Sequence, residues 1–481
     1  MPRKRQPRRP RPAPRRRPHG PTGPANNGTG SGGPPPREVG SPGFAQPEAT
    51  PDPTIFRIKH LSDAEAYKAI DELNREHKIF PLAFPAPRGG VEPRLTLEDV
   101  LGRRTEIIRS IEQNGQIVFH ATGDCGSTKG PKTQNEVTDK MVTDFQEHPM
   151  EMPQFGLLLG DIVYSFGEPQ YYYDQFYEPY REYPAPILAV AGNHDGMVSP
   201  LAGAKSLDAY LRNFCDDTYE RSGQFVVTPD AGGLSRTAQI QPGVFFTFEA
   251  PFVRILVLYS NTLEDPGVIY DAKIGRSQLD FLQAALGRVK SESYTGALIM
   301  VDHHPPYAAG GRHGGSADML QQIDEICDAT VWPHAFLSGH AHNYQRFTRT
   351  RSRDATQIPY VVCGNGGHNV TRLSRGGTTI RAPQIVQAAG RGADQVVLEN
   401  YDDQEYGYLR IAVTAAQLRI EYHPASDGGA AKTPDDFVTV DLNSRKLAHF
   451  VANDLGRPAE AVRIRALRTS ARRGSAAKSR A

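Results

Sequence analysis

The stretch Gly160-Asp161-Ile162-Val163-Tyr164 decides the fold of this 481-residue chain. It follows an apolar run, residues 155–159, which predicts a buried strand. Asp161 would then lie at the carboxyl end of that strand, where open α/β sheets bind their ligands. Tyr164 comes three residues later and can turn back toward the same point. A carboxylate that can bridge two cations, with a phenol beside it, predicts a site for hard, highly charged metal ions.

Four further predicted strands end in polar residues of related types. Each of these clusters alone is typical of a cap or a loop, but five in succession predict ligands of one metal site. A glycine beside the ligand, present in four of the five, lets the backbone turn sharply and approach an ion closely. The four clusters are Gly123-Asp124-Cys125-Gly126, Gly192-Asn193-His194-Asp195, Asp302-His303-His304-Pro305 and Gly339-His340-Ala341-His342.

Parallel and antiparallel strands are both predicted after Gln116. Parallel units flanked by antiparallel strands predict an α/β fold, a four-layer αββα sandwich of two mixed β-sheets flanked by helices. The predicted elements are strands at 117–121, 155–159, 187–191, 297–301, 334–338 and 360–363, a helix over 135–148, a hairpin of 244–248 with 253–259, and a meander of 408–413, 418–422 and 437–442.

Basic residues are concentrated at the two ends of the chain. Residues 1–17 contain nine arginines or lysines and residues 461–481 contain seven, with no acid in either segment. Without these sixteen, 39 basic side chains face 54 acidic ones, so the body carries about −15. An acidic body suits a protein that holds cations. The basic ends predict possible contact with nucleic acid or an anionic membrane surface.

Four regions are predicted along the chain. Residues 1–53, rich in Arg and Pro, predict a disordered tail. Residues 54–115 predict a helical lead segment packed on the main domain, with a strand at 54–58, a helix over about 62–76 and a helix over 105–114 that ends at Gly115. Residues 116–445 are the predicted catalytic domain, and residues 446–481 a basic C-terminal tail.

Cysteine usage and hydropathy bear on the compartment. The four cysteines, Cys125, Cys215, Cys327 and Cys363, form no CxxC pair, which indicates reduced thiols. No run approaches the ~18 apolar residues of a membrane span, and no apolar segment follows the basic N-terminus as in a signal peptide. These features predict a soluble, cytoplasmic protein without a transmembrane segment.

Taken in order, the five clusters resemble the motifs of the metallophosphoesterase (calcineurin-like) superfamily, and within it the purple acid phosphatases. The resemblance covers roughly residues 116–445 and extends to His342-Asn343-Tyr344-Gln345-Arg346, with Gln345 where Glu is commoner, and to the glycine turn after 360–363. The motifs are GDxG at 123–126, GDxxY at 160–164, GNHD at 192–195, HxP at 303–305 and GHxH at 339–342.

The resemblance implies a dinuclear centre bridged by Asp161. The first metal, typically ferric iron, would be held by Asp124, Asp161, Tyr164 and His342. The second, a divalent Fe, Zn or Mn ion, would be held by Asp161, Asn193, His303 and His340. This division agrees with the preference of Fe(III) for carboxylate and phenolate oxygens, and of the divalent ions for imidazole.

Two positions bear on the subclass and on the ligand set. Gly126 stands where many metallophosphoesterases carry the histidine of a DxH motif, and Tyr164 supplies the replacement ligand, which favours the purple subclass. Between the adjacent histidines, alignment on His-x-Pro selects His303 as the ligand. The alternative alignment, on a Val-x-x-His pattern that begins at Val301, selects His304.

The implied reaction is hydrolysis of phosphate monoesters by metal-bound hydroxide. His194 would donate a proton to the departing alkoxide, and Asp195 would orient the ring of His194 or raise its pKa. His313 and Arg312, in a glycine-rich loop, are candidate phosphate contacts with Asn193, and His368 is a weaker candidate. Alternatives are a phosphodiesterase for nucleotides or phospholipid head groups, and a nucleic-acid or membrane binding module that acts through the basic tails.

Overall fold

The computed structural model describes residues 83–448 and the single residue Glu72, except for 103, 129, 199–204, 216–238, 263–265, 311–312, 376, 388–391 and 427–431. The predicted tail 1–53 and the predicted strand at 54–58 lie outside the described residues. So do all but Glu72 of the predicted helix over 62–76, and residues 449–481 of the predicted C-terminal tail.

Two large mixed β-sheets form the centre of the fold, and a two-stranded ribbon joins β11 (Ser374–Arg375) to β12 (Thr378–Thr379). The nine-stranded sheet has, in spatial order, β1 (Arg94–Thr96), β5 (Phe246–Ala250), β6 (Val253–Val257), β7 (Ala297–Val301), β8 (Ala335–Ser338), β10 (Gln357–Cys363), β9 (Tyr344–Thr350), β14 (Gln395–Asp402) and β13 (Gln384–Gln387). The seven-stranded sheet has β18 (Lys446–Leu447), β17 (Asp436–Asp441), β16 (Gln417–Pro424), β15 (Gly407–Thr414), β2 (Gln116–Thr122), β3 (Pro153–Leu158) and β4 (Ile187–Ala189).

The helices lie around the two sheets: most pack on the outer faces, whereas Leu97–Val100 and Thr105–Asn114 contribute Leu97, Val100 and Ile111 to the apolar cluster between the sheets. In the described part of the chain they are Leu97–Val100, Thr105–Asn114, Lys132–Thr143, Pro169–Tyr172, Asn193–Gly196, Asp208–Phe214, Ser277–Ser291 and Ala317–Ala329, with a 3-10 turn at Asp144–Gln146 and a π-helical turn at Tyr173–Tyr177. None of these helices combines the length and the apolar character that crossing a bilayer requires.

Two apolar clusters make the four layers. One lies between the sheets, where Phe155 stacks on Phe119 with ring centroids 4.6 Å apart and meets Phe248 of the other sheet at 4.9 Å. The other lies between the sheets and the helices outside them. There the strand residues that alternate with the first set, such as Leu298, pack on helical residues such as Phe281. Since β7 has apolar residues on both faces, its sequence is a continuous apolar run, as expected for a central strand buried on both faces.

The structure confirms the predicted fold class, and most differences are at element ends. The predicted helix over 135–148 begins instead at Lys132 and ends at Thr143. It stops there because the chain enters the 3-10 turn at Asp144, whose buried carboxylate lies 2.9 Å from His120 Nε2 and accepts a hydrogen bond from Tyr408 at 2.8 Å. The helix Thr105–Asn114 and its left-handed cap at Gly115, with φ of 69°, are as predicted.

The described part of the lead segment also contributes to a sheet. Strand β1, which was not predicted from the sequence, pairs in parallel with β5 at the edge of the nine-stranded sheet. At the other end, β18 extends the seven-stranded sheet to Leu447, beyond the predicted boundary at 445. Strands β9 and β14 were likewise not predicted as strands; β9 pairs antiparallel with β10, and β14 pairs antiparallel with β9.

Candidate metal centre

The five polar clusters meet because of the sheet topology. Strands β2, β3 and β4 are parallel neighbours in one sheet, and β7 and β8 are parallel neighbours in the other. Parallel neighbours place their carboxyl ends at the same edge of a sheet, which is where each cluster begins. Three of the clustered residues have left-handed backbone conformations that are rare for residues other than glycine: Asp124, Asp161 and His340, with φ of 55°, 53° and 67°.

The first predicted ligand group converges on the hydroxyl of Tyr164. This hydroxyl lies 2.8 Å from Asp124 Oδ1, 2.8 Å from Asp161 Oδ2 and 3.3 Å from His342 Nε2. His342 Nε2 is in turn 3.2 Å from Asp124 Oδ1. The four side chains therefore direct their oxygen and nitrogen atoms at one point.

The second predicted group converges on Asn193. Its Oδ1 lies 3.0 Å from His303 Nε2 and 3.1 Å from His340 Nδ1. His303 Nε2 is also 3.4 Å from Asp161 Oδ2, and the donor atoms of Asp161, His303 and His340 all lie within 4.8 Å of one another. Asp161 thus contacts both groups, as expected of a bridging residue.

The alternatives at 303 and 304 have different surroundings. His303 Nδ1 lies 2.8 Å from the carbonyl oxygen of Leu159, which leaves Nε2 directed at the donor cluster. Both ring nitrogens of His304 instead face hydroxyls, Ser260 Oγ at 2.7 Å and Thr262 Oγ1 at 3.1 Å. This geometry favours His303 as the ligand.

The donor set fits a pair of metal ions. All seven predicted ligands are at most 5% exposed, so bulk water does not solvate the negative charges of the two carboxylates. Burial raises the pKa of Asp161, but the charges of His303 and His194 outweigh it and hold that pKa well below its usual value. Burial and then the charges of Asp124 and Asp161 raise the pKa of Tyr164 well above 10. A phenolate at this point therefore requires a cation beside it. Among the described residues, no hydrogen-bond partner faces the buried His342 Nδ1.

The predicted proton donor, His194, lies against the first ligand group. Its ring centroid is 4.3 Å from that of Tyr164, and its Nε2 is 3.9 Å from Asp161 Oδ2. Its Nδ1 lies 2.7 Å from the carbonyl oxygen of Ser165, to which Nδ1–H can donate. Nε2 is then the atom directed at the centre.

The predicted role of Asp195 needs correction. Its carboxylate accepts hydrogen bonds from the backbone N–H groups of Ile162, at 3.0 Å, and Gly192, at 2.8 Å. Burial, and then the charge of Asp161, raise its pKa to about 8. Asp195 therefore joins the GNHD turn to the GDxxY loop, and Ser165 supplies the contact that orients the ring of His194.

The predicted substrate contacts differ in placement. The ring of His313 lies 4.4 Å from that of His340 and 5.3 Å from that of His342, so it covers the ligand cluster. Arg312 lies outside the described residues. His368 stacks in parallel on Tyr164, with centroids 3.6 Å apart and an interplanar angle of 5°. His368 is thus placed against a predicted ligand.

Residues 117–344 match the family model described as calcineurin-like phosphoesterase. These residues are a calcineurin-like phosphoesterase domain. Members of this family are metal-dependent hydrolases of phosphoesters that use a dinuclear centre, and the buried group Asp161, His303 and His340 could hold a metal ion.

Solved structures similar to this chain include phosphatases and a structural anchor. The purple acid phosphatase PPD1 from yellow lupin (Lupinus luteus) seeds is 15% identical, with a TM-score of 0.43, over 68% of this chain and 54% of that one. GAP50, the anchor in the inner membrane complex of Plasmodium, is 14% identical, with a TM-score of 0.42, over 65% and 86%. A dimetal phosphatase from Danio rerio is 10% identical, with a TM-score of 0.38, over 68% and 99%. The match spans about half of the lupin chain, and no curated protein matches the sequence.

Gly126 is required by the close approach of the loop that carries Tyr164. A Cβ at this position would lie 2.7 Å from Gln175 Oε1, 2.8 Å from the carbonyl oxygen of Ile162 and 2.8 Å from Val163 Cα. A histidine at 126 and the observed path of the Tyr164 loop therefore exclude each other. The observed path of the loop that carries Tyr164 therefore requires glycine at position 126.

Substituting alanine at Gly126 is expected to lower the free energy of unfolding by about 1–3 kcal/mol, the usual effect of overpacking. Because the methyl group would push the 162–164 segment away, metal affinity should fall as well. Chemical denaturation and metal titration of the full chain measure the two effects. Gly287→Ala is the control, since no atom of the described residues outside the helix's own backbone lies within 4 Å of a Cβ at that site. A Gly126→Ala protein with unchanged stability and affinity would contradict the steric argument.

Four buried glutamines each form two hydrogen bonds with the backbone of one other residue. No role for them was predicted from the sequence. In each pair the amide oxygen accepts from the backbone N–H, at 2.7–2.8 Å, and the amide nitrogen donates to the carbonyl oxygen of the same residue, at 2.5–3.3 Å. The pairs are Gln175 with Tyr164, Gln241 with Ala189, Gln278 with Tyr259 and Gln345 with Ala309. No local sequence signal marks such a pair, because the partners are 11 to 52 residues apart.

Gln175→Glu should weaken the hold on Tyr164, because a carboxylate cannot donate to the Tyr164 carbonyl oxygen. We expect a loss of about 1–3 kcal/mol in unfolding free energy together with weaker metal binding. Gln278→Glu is a matched control, since its amide makes the same two bonds to Tyr259 and is equally buried. The control should lose comparable stability and keep its metal affinity. Equal losses of affinity in both variants would refute a specific role for Gln175.

Proposed function

We propose that this chain hydrolyses phosphate monoesters with a ferric ion and a divalent ion, as a phosphatase of the purple acid type. The observation that carries the proposal is the convergence of Asp124, Asp161 and His342 on the hydroxyl of Tyr164, within 3.3 Å. Carboxylate and phenolate oxygens are the donors that Fe(III) prefers. Asn193, His303 and His340 would complete the divalent site with Asp161 as the bridge.

Such a metal pair, when bound, supplies hydroxide near neutral pH and stabilises charge on the phosphoryl oxygens. The chain's own residues would do the rest. His194, held by the Ser165 carbonyl at Nδ1, would donate the proton on Nε2 to the departing oxygen. His313, over His340 and His342, would contact the phosphoryl group. The buried walls around the ligands would exclude bulk water from the reacting atoms.

Tyr164→Phe tests the ferric assignment. The full-length protein loaded with iron and zinc is expected to absorb visible light through tyrosinate-to-iron charge transfer, and the variant should lose this band and bind iron more weakly. Absorption spectroscopy and elemental analysis provide the readouts. Tyr270→Phe, at a partly exposed tyrosine, is the control and should keep the colour. A coloured Tyr164→Phe protein would remove Tyr164 from the set of ligands.

The monoester preference is tested by comparing hydrolysis of 4-nitrophenyl phosphate with that of its bis-ester. Faster hydrolysis of the monoester is expected. Preference for the diester would overturn this part of the proposal in favour of a phosphodiesterase acting on nucleotides or phospholipid head groups. Contact of the basic ends with nucleic acid or anionic membranes, and the cytoplasmic location, stay predictions from the sequence.

A further inference from the structure

A cleft of about 460 Å³ opens beside the candidate metal centre. It is lined by the predicted ligand His342, by His313, and by residues 309–310, 341, 343 and 371–374. Among the described residues that line it, Arg372 is the only ionisable one besides these two histidines, and no acid is among them. Arg372 also borders a neighbouring cleft that contains acids, Asp403 among them. The cleft beside the candidate metal centre has a cation and no acid among its described residues, which indicates an anionic ligand.

The segment that carries Arg372 is held firmly against the centre. The N–H of Thr371 donates to the carbonyl oxygen of His342 at 2.7 Å, and Asn343 Nδ2 donates to the carbonyl oxygen of Thr371 at 3.0 Å. On the other side, the N–H of Leu373 donates to Asp403 Oδ2 at 2.7 Å. The backbone on both sides of Arg372 is therefore fixed by hydrogen bonds, one to His342 of the GHxH segment and one to the following residue, Asn343.

The opposite side of the cleft is held by one of the glutamine pairs. Gln345 binds both backbone groups of Ala309, at 2.7 and 3.3 Å, and donates to Asn343 Oδ1 at 2.8 Å. A glutamate at 345 could not donate to Ala309 and Asn343. The two sides of the cleft are thus linked through Gln345 and Asn343, which gives the cleft a defined width.

The guanidinium of Arg372 remains available to a ligand. Its side chain is 67% exposed, and its pair with Asp403 Oδ1, at 3.2 Å, joins an exposed group to a nearly buried one. Pairs with an exposed partner contribute little free energy, so an incoming anion can replace this contact. Asp403 keeps its hydrogen bond from Leu373, and the backbone need not move.

We propose that this cleft binds the part of the substrate beyond the phosphoryl group, and that Arg372 determines specificity by binding a second anionic group there. The proposal rests on the proposed function for the placement of the phosphoryl group at the metal centre. The substrate class is a phosphate ester whose alcohol portion carries a carboxylate or another phosphate. Both anions match the planar, two-pronged donor geometry of arginine.

The test is binding of two unreactive probes to the metal-loaded full chain by calorimetry. Phenylphosphonate has only the phosphonate group, and 3-carboxyphenylphosphonate adds a carboxylate. The native protein should bind the carboxylated probe more tightly. Arg372→Ala should weaken binding of that probe about tenfold, the loss expected of one charge-assisted contact, and leave phenylphosphonate within about twofold. Arg375→Ala, at an exposed arginine three residues away that does not line the cleft, is the matched control.

Three results would overturn the proposal: no preference of the native protein for the carboxylated probe, equal weakening of both probes by Arg372→Ala, or the same effect from Arg375→Ala. Arg372→Lys should restore part of the preference, since it keeps the charge and loses the two-pronged geometry. Because binding is measured without turnover, these outcomes are separate from the proposed function. Hydrolysis of phenyl phosphate by the native protein tests the latter.

Discussion

Asp161→Asn is expected to reduce hydrolysis of 4-nitrophenyl phosphate by on the order of a thousandfold or more. Asp161 Oδ2 lies 2.8 Å from the Tyr164 hydroxyl and 3.4 Å from His303 Nε2, so it belongs to both predicted ligand groups. An amide carries no negative charge, so its oxygen is a much weaker ligand than a carboxylate oxygen for a position shared by two cations. Both ions should therefore bind more weakly, and elemental analysis should find less than two equivalents of metal.

The control for this experiment is Asp280→Asn, an exposed aspartate on the helix Ser277–Ser291 that pairs only with Arg276 among its described ion-pair partners. Rate and metal content should stay unchanged in the control. Thermal unfolding of both metal-free variants separates loss of metal from loss of fold. An Asp161→Asn protein that keeps two metal ions and the native rate would eliminate the proposed bridging role.

His194→Ala should slow the hydrolysis of alkyl phosphates about a hundredfold, within the usual range for loss of a general acid. Nitrophenolate leaves readily without a proton, so 4-nitrophenyl phosphate should be affected much less. The reason is the position of His194, whose Nδ1 is occupied by the Ser165 carbonyl and whose Nε2 faces the centre. The measurement is the dependence of kcat on the acidity of the leaving alcohol, which should become steeper.

Metal content must be unchanged in His194→Ala for this interpretation, because His194 lies only 3.9 Å from a predicted ligand. His148→Ala, at an exposed histidine that belongs to none of the motifs, is the control. Asp195→Asn adds a further distinction, since Asp195 bonds the backbone of Gly192 and Ile162. It should lower stability without changing the leaving-group dependence. Equal slowing of good and poor leaving groups by His194→Ala would count against its role as acid.

Much of the architecture was predictable because it depends on local patterns. The apolar run at 297–301 gave a strand with the same bounds, since a central strand buried on both faces needs no alternation. The hairpin near 246–257 was predicted for the same reason, although its strands end a few residues from the predicted positions. Strands β9 and β14 were not predicted from the sequence. They carry many polar residues, and they form strands because their backbone groups hydrogen-bond to neighbouring strands in the sheet.

The sequence by itself determined the order and chemical types of the candidate ligands, because each follows a strand that its own apolar residues specify. It also paired Gly126 with Tyr164. Only the tertiary structure showed the different surroundings of His303 and His304, placed the Ser165 carbonyl against Nδ1 of His194, and revealed the glutamine pairs. These features depend on contacts between residues distant in the chain, and a side chain's local sequence does not specify which backbone or ring will face it after the two sheets have packed.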